Sequence, residues 1–470
     1  MSPRLIVLSN RIPMEDAEPA GGLVFALHDC LSQQGGVWIG SADVPVSTPA
    51  DSLTTVGTGT YTRKTFDVTE DDQRDFYLGY ANSVLWPLFH RRADLIAMEP
   101  RYSEAYRSTN ARVAALIARE LQPGDLLWVH DYHFLPVARE LRRRGIDNRI
   151  GYFLHTPFPL AANVPALPER DEFPEWLAAY DLVGLQTERD LAALREYFRG
   201  DPAAEIDAAG TIRTADGSFR AIALPIGIDV DAFIAQTDAS DGADRLRLDP
   251  TERLLIGVDR LDYSKGLVNK FRAFAAYLDE HRAANGPRAT LLQIAPPSRG
   301  ALDAYREIRT ELESAAGAIN GEHAMIDWTP IRYICRNVPR ERVAGLYRRA
   351  DVGLVTPLAD GMNLVAKEYV AAQNPDDPGV LILSHFAGAA EQMGGALLVN
   401  PYDEAEMAEA IARALDMPLD ERRARHAEML AGLRSHDIGW WARTYMAELS
   451  RPDPSVPGLG AAGQGSGTAA

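Results

Sequence analysis

Nine short apolar runs recur along the chain: RLIVLSN, DLLWVHD, RIGYFLH, DLVGLQT, RLLIGVD, ATLLQIA, ADVGLVT, GVLILSH and ALLVNP. Each is too short for a helix and apolar at successive positions, so both of its faces are buried. Strands of a parallel sheet covered by helices have this character. Between the runs lie segments such as FLPVARELRRRG, with apolar residues at helical spacing and a closing glycine. The alternation predicts an α/β fold with parallel sheets.

A chain of 470 residues is too long for one ordinary core and suits two domains. The runs fall into two sets, one ending near Ile228 and the other beginning near Leu254. The polar stretch DAFIAQTDASDGADRLRLDPTE lies between them, which puts the junction near residues 226–250. Residues 1–228 are expected to form the first Rossmann-like domain and 229–437 the second. The Gly/Ala/Ser-rich tail, 452–470, is expected to be disordered. Ligands of such sheets bind at the carboxyl ends of the strands, here in a cleft between the domains.

The formal net charge of −18 argues against general binding of nucleic acid or anionic membrane. An anionic ligand must therefore be held by local cations. Two cysteines, Cys30 and Cys335, form no metal-binding or disulfide pattern, and the expectation is a reducing cytoplasm. The N-terminal apolar run is too short for a signal peptide, and no stretch is long enough to span a membrane.

Polar residues cluster where the predicted strands end. Asn10 and Arg11, His130 to His133, His155, Gln186, Arg260 with Lys265, Ser298 with Arg299, and Asp360 all sit at that edge. Arg260 and Lys265 flank a tight turn in VDRLDYSKGL; read alone, the pair is equally a solvated loop. DGMNLVAKE adds a second strand-to-helix junction, with Asn363 as N-cap and free first-turn amides. Two cations and a helix N-terminus suit a diphosphate. Glu368, one turn beyond Leu364, could accept hydrogen bonds from ribose or sugar hydroxyls, although alone it reads as a surface glutamate. Gly21-Gly22 would let backbone approach a ligand but is not a dinucleotide fingerprint. HDYH, residues 130–133, lacks further ligands at metal-binding spacing, so hydroxyl binding is preferred. Asp229 and Asp231 resemble a metal-binding D-x-D but read better as a helix cap. No metal and no other cofactor is expected. Tyr77, Asn82 and Trp86 lie in an aromatic-rich segment that could stack on a sugar or simply pack.

The motifs SNR at 9–11, AGGL at 20–23, VLWP at 84–87, HDYH at 130–133, FLHTPFP at 153–159, DRLDYSKG at 259–266, PSRG at 297–300 and DGMNLVAKE at 360–368 resemble those of trehalose-6-phosphate synthases. The resemblance runs in order from about residue 4 to about residue 446. It implies a fold of the GT-B type, similar to glycogen phosphorylase, with a helix at about 438–451 crossing back to the first domain. It also implies glucosyl transfer, with retention, from a nucleotide-diphosphate glucose to glucose 6-phosphate. By the same resemblance, Arg11, Tyr77, Asp131 and Arg299 would bind the acceptor, with Trp86 beside them. Arg260 and Lys265 would hold the donor diphosphate, and Gly21, Gly22 and Val338 would meet the donor through backbone. His155 and Asp360 would bind the transferred glucose. Gly361, Met362 and Asn363 lead into Leu364, Val365, Ala366, Lys367 and Glu368, which would cover diphosphate and ribose. Trp86 and Thr156 would enforce the α anomer. Asp131, His155, Arg260, Lys265 and Asp360 are thus the expected catalytic set.

Some choices stay open at this level. UDP-, GDP- and ADP-glucose are all compatible donors, because the base would be read largely by backbone near Ile294 and Val338. A homo-oligomer is equally open. The family commonly carries a second tryptophan in a W-x-G-W-S-G loop, where this chain has Ser41 after Trp38-Ile39-Gly40. That departure keeps a glucosylglycerol-phosphate synthase as an alternative. A silent regulatory subunit and a glycoside hydrolase fit the cationic cluster less well.

Overall fold

The computed structural model describes residues 3–13, 24, 27, 28, 30–32, 35–240, 249, 251–281 and 288–451. Gly21, Gly22 and the 452–470 tail lie outside these residues.

The strands, in chain order, begin with β1 (Leu5–Leu8), β2 (Val37–Ser41), β3 (Thr54–Thr58), β4 (Thr62–Phe66), β5 (Leu126–His130) and β6 (Arg149–Phe153). They continue with β7 (Leu182–Leu185), β8 (Glu205–Ile206), β9 (Thr211–Thr214) and β10 (Gly217–Ala223). These ten form one sheet in the order β3-β4-β2-β1-β5-β6-β7-β10-β9-β8. Its interior is parallel, and antiparallel pairs occur only toward the two margins. The second sheet comprises β11 (Arg253–Val258), β12 (Ala289–Ile294), β13 (Ile331–Ile334), β14 (Val352–Val355), β15 (Val380–Ser384) and β16 (Leu397–Val399). It runs β13-β12-β11-β14-β15-β16 and is parallel throughout.

All nine apolar runs form strands, and β1, β5, β12, β14 and β15 are buried along their whole length. Parallel register then aligns their ends: Leu8 lies beside Val129, His130 beside Phe153, and Val258 beside Ile294. The polar residues that follow each strand therefore emerge along one edge of each sheet. The remaining strands carry weaker patterns, and β2 is the consequential one. The segment expected to be a loop around Trp38 and Ser41 is instead a strand paired in parallel with both β1 and β4. Trp38 is fully buried and donates its indole N–H to Ser9 Oγ at 2.8 Å.

The segment Asp72–Leu85 is a helix of wide, i→i+5 turns, continued by an α-helical turn over Trp86–Phe89. Side chains follow the same widened spacing: Asn82 Nδ2 donates to Tyr77 O at 2.7 Å and Ser83 Oγ to Leu78 O at 2.8 Å. Such wide turns concentrate at functional positions.

A helix over Ile438–Leu449 lies against the first sheet. Tyr445 stacks on Trp128 with ring centroids 4.4 Å apart and donates its hydroxyl to Tyr152 O at 3.0 Å. One apolar cluster runs from β1 and β5 of the first sheet, through Trp441 and Tyr445, to β11 and the helix Leu364–Ala372 of the second half. The chain crosses between the halves twice, near Ile226–Ile228 and at Asp437, where Ile438 N donates to Ile228 O at 3.2 Å.

Candidate active site

The turn after β11 is built by its own sequence. Asp262 Oδ1 accepts from Ser264 N at 3.0 Å, and Gly266 closes the turn at φ 63°. A side chain at Gly266 would also strike Thr356 O, 2.4 Å from where its Cβ would sit. The turn presents Lys265, whose Nζ lies 2.5 Å from Asp360 Oδ2. Asn363 Nδ2 donates to the same oxygen at 3.0 Å, while Asn363 Oδ1 caps Ala366 N at 3.3 Å. Burial alone would raise the Asp360 carboxyl, but Lys265, His90 and Arg260 hold it below the ordinary carboxylate range.

Gly361 brings the two halves into backbone contact. A Cβ there would lie 2.1 Å from His155 O, so this seam tolerates only glycine. Thr156 is buried at the same seam, and its hydroxyl has no partner among the described residues.

Trp86 is the meeting point of the two sides. The guanidinium of Arg299 stands 3.8 Å from its ring centroid and that of Arg260 5.2 Å. His90 stacks on Trp86 at 3.9 Å. Arg299 is almost buried, with its backbone at φ 47°. It donates to Asp262 Oδ2 at 3.3 Å, to the Tyr305 hydroxyl at 2.6 Å and, across the cleft, to the Tyr132 hydroxyl at 3.2 Å. Tyr132 in turn donates to Asn82 Oδ1 at 3.0 Å. The buried Asp262 carboxyl would rise through burial, yet Arg299, Arg260, His90 and Lys265 keep it ionised and well below its usual range.

The opposing wall is aromatic and imidazole-rich. Tyr77 stacks parallel to His133, centroids 5.8 Å apart. His133 is drawn down to about 3, by burial first and then by Arg299 and Arg11, so both arginines act on one place from opposite halves. Arg11 itself is exposed. Asp131, at φ 69°, has its carboxyl raised to about 6 by removal from water, against the pull of the Tyr132 and His155 backbone N–H groups and of Arg299 and Arg260. Burial brings His155 to about 3, so its ring is neutral. Its Nε2 lies 3.0 Å from His130 Nδ1, and its Nδ1 lies 3.2 Å from Gln186 Nε2.

Other expected residues lie around this centre. Glu368 accepts from Arg340 at 2.9 Å; burial raises its carboxyl and Arg340 opposes the rise. Val338 is half-buried and packs at the core edge with Ile334, Leu364 and Val365. Met362 is buried. The Lys367 side chain turns the other way, reaching Ile226 O at 2.7 Å and Gln392 Oε1 at 2.6 Å. Asp229 Oδ1 caps Ala232 N at 2.9 Å, and Asp231 is exposed, 3.7 Å from Arg434. Among the described residues, the only grouping of three potential metal ligands is Asp279, Glu322 and His323. They stand at the last turns of their helices, Leu267–His281 and Asp303–His323, at the opposite sheet edge from the cleft.

Asp262, His90, Tyr132 and Tyr305 are contributors that the sequence reading assigned no role. Asp262 carried a local sign, an Asx turn between two motif cations. Tyr305 has none, because its partner Asp262 is 43 residues away.

Two parallel-sheet α/β domains facing each other, with cations and a helix N-terminus at the strand ends, define a glycosyltransferase of the GT-B type. The Glycosyltransferase family 20 model matches residues 6–451. The chain is 42% identical to the trehalose-6-phosphate synthase of Enterobacter sp. (strain 638) over 456 residues, covering 96% of each. It superposes on a UDP-forming α,α-trehalose-phosphate synthase from Burkholderia xenovorans in complex with glucose-6-phosphate, with TM-score 0.89 and 44% identity over 95% of this chain and 100% of that one. An E. coli trehalose-6-phosphate structure bound with UDP-2-fluoro glucose gives TM-score 0.89 and 41% identity, covering 96% and 100%. The chain belongs to glycosyltransferase family 20.

Proposed function

We propose that this enzyme transfers glucose from UDP-glucose to glucose 6-phosphate, with retention, giving α,α-trehalose 6-phosphate and UDP. The observation that carries the reading is the convergence of Arg260, Lys265 and Arg299 with the capped N-terminus of Leu364–Ala372 at the closed seam. The relatives bound to glucose-6-phosphate and to UDP-2-fluoro glucose support the acceptor and the donor, and the UDP-forming relatives support the base.

In this reading the donor diphosphate lies against Arg260, Lys265 and the amides of Leu364 to Ala366. Glu368 exchanges Arg340 for the ribose hydroxyls, and Val338 meets the base through backbone. Asp360 and His155 hold the transferred glucose. Arg11 and Arg299 take the acceptor phosphate, Tyr77 and Asp131 the acceptor sugar, and Trp86 and Thr156 shape the α-selective face. The bond from the anomeric carbon to the diphosphate breaks as the acceptor hydroxyl bonds to that carbon on the same face. The hydroxyl proton passes to the departing phosphate oxygen. Negative charge grows on the diphosphate, and fixed cations stabilise it most in the transition state. Those cations supply the charge that a metal supplies elsewhere, so turnover needs no divalent ion.

The chain is read as two units, 1–228 with the 438–451 helix, and 229–437. Among the described residues no helix is long and apolar enough to cross a membrane, and neither Cys30 nor Cys335 is in a disulfide; we place the enzyme in the cytoplasm. A glycerol 3-phosphate acceptor is the second reading, because Ser41 stands where a tryptophan is common.

A matrix of UDP-, GDP- and ADP-glucose against glucose 6-phosphate and glycerol 3-phosphate, run with and without EDTA, tests all of this. Trehalose 6-phosphate from UDP-glucose in EDTA is expected. A much higher kcat/KM for glycerol 3-phosphate would transfer the assignment to the second reading, and loss of activity in EDTA restored by magnesium would overturn the metal-free mechanism.

A further inference from the structure

A line of hydrogen bonds links the donor-side helix to the histidines of the opposite wall through the interdomain crossing. Lys367, fully buried on Leu364–Ala372, donates to the carbonyl of Ile226 at 2.7 Å. The N–H of the same residue, Ile226, donates to Gln186 Oε1 at 3.0 Å. This fixes the orientation of the Gln186 amide, so its Nε2 is the atom 3.2 Å from His155 Nδ1 and must donate to it. His155 Nδ1 is then an acceptor, and the proton of the neutral ring resides on Nε2, which donates to His130 Nδ1 at 3.0 Å. The remaining N–H of His130 is buried and has no partner among the described residues, so the line ends there. Every intermediate group gives one hydrogen bond and takes one.

We propose that Lys367, the Ile226 backbone and Gln186 form a positioning relay that sets the tautomer and place of His155 from the helix that receives the donor. The inference rests on the proposed function, in which His155 Nε2–H turns from His130 to a sugar hydroxyl once the donor is bound. Lys367 immediately precedes Glu368 on that helix, and Ile226 is where the chain leaves the first sheet for the second half. A shift of the helix therefore moves the Ile226 carbonyl, and the N–H of the same residue, one Cα away, carries the shift to Gln186. Lys367 and Gln186 are positioning residues and touch no substrate.

Two measurements on the full chain test the relay. In histidine-labelled ¹⁵N NMR, His155 should be a single Nε2–H tautomer in the wild type. Gln186→Glu places an acceptor at both ends of the side chain and should move the proton to Nδ1; Lys367→Met should give a mixture. In kinetics, Lys367→Met and Gln186→Leu should each lower kcat roughly 10-fold with acceptor KM changed less than about two-fold, and the double variant should be no worse than the poorer single one. Effects that multiply in the double variant, or an unchanged His155 tautomer in Gln186→Glu, would overturn the relay. A wild-type chain that transfers no glucose would instead sink the functional reading, and the NMR result would still decide the relay.

Discussion

On the wall formed by the first sheet, burial strips charge away: His130, His133 and His155 are all held neutral, and the Asp131 carboxyl rises to about 6. On the wall formed by the second sheet, charges survive burial because they are paired. Asp262 and Asp360 stay ionised against Arg299 and Lys265, at separations of 3.3 Å and 2.5 Å. The difference teaches how one cleft can serve two tasks. An anionic leaving group needs preorganised positive charge, whereas hydroxyl recognition needs neutral, oriented donors and acceptors. Trp86 is the hinge of the comparison, belonging to the first wall and carrying the arginines of the second on its face.

The contrast breaks most severely if the paired charges are removed. Lys265→Ala and Arg260→Ala should each lower kcat by about 10²–10³ with the fold intact, the usual loss for one preorganised charge-stabilising group. Steady-state kinetics beside circular dichroism would check this, and near-normal turnover in either variant would remove the diphosphate from this wall.

A smaller but more selective effect is expected from Arg299, which donates from the charged wall across the cleft to the Tyr132 hydroxyl. Charge-assisted hydrogen bonds are worth roughly 1.5–3 kcal/mol each. Arg299→Lys keeps a cation for Asp262 but loses the fork, and should raise acceptor KM well above any change in donor KM. Equal changes for both substrates would show that the two walls are not divided by substrate.

The neutral wall makes a prediction in pH. The Asp131 carboxyl has a folded-state pKa of about 6 against 3.8 for the ordinary group. The folded protein thus binds this proton more tightly than the unfolded chain does. Stability falls as pH rises from about 4 to 6, and the deficit is complete above that. Asp131→Asn removes it, and asparagine is nearly isosteric with aspartate, so the backbone at φ 69° and ψ 169° is asked to change no more than in the wild type. Its Tm should exceed that of the wild type at pH 8 by roughly 2 °C, and the gap should close below about pH 4. The same variant should lose activity, because the carboxylate is proposed to orient an acceptor hydroxyl. A gap that is independent of pH would mean that strain, not charge burial, is being relieved.

The least effect is expected at Ser41. Its hydroxyl donates to Asn10 O at 2.6 Å at the end of β2, beside the segment that carries Arg11. Ser41→Trp should leave turnover with glucose 6-phosphate within about two-fold while reducing use of smaller phosphorylated acceptors, since an indole would fill space near the acceptor. An unchanged acceptor ratio would confine Ser41 to packing.

Much of this was legible in the chain itself. Strands buried on both faces leave a continuous apolar signature, so the core of both sheets and the gathering of polar candidates at the strand ends could be read directly. Asn363 as a cap and Asp229 as a cap were equally local, because a side chain bonding an amide three residues on depends on nothing distant. Strand β2 was missed because three apolar residues after Gly35-Gly36 look the same in a strand and in a packed loop. Only its pairing with β1 and β4 distinguishes them.

What the sequence by itself determined, then, was everything carried by short-range periodicity and capping: the α/β class, the parallel cores, and the sheet edge at which the polar residues gather. The tertiary structure alone decided which of those edge residues are partnered and by what. Asp262 finds Arg299 and Tyr305, Lys265 finds Asp360, and Lys367 turns from the cleft to the Ile226 carbonyl. Whether a charge survives burial depends on a partner within a few ångströms, and those partners come from parts of the chain that sequence distance cannot bring together.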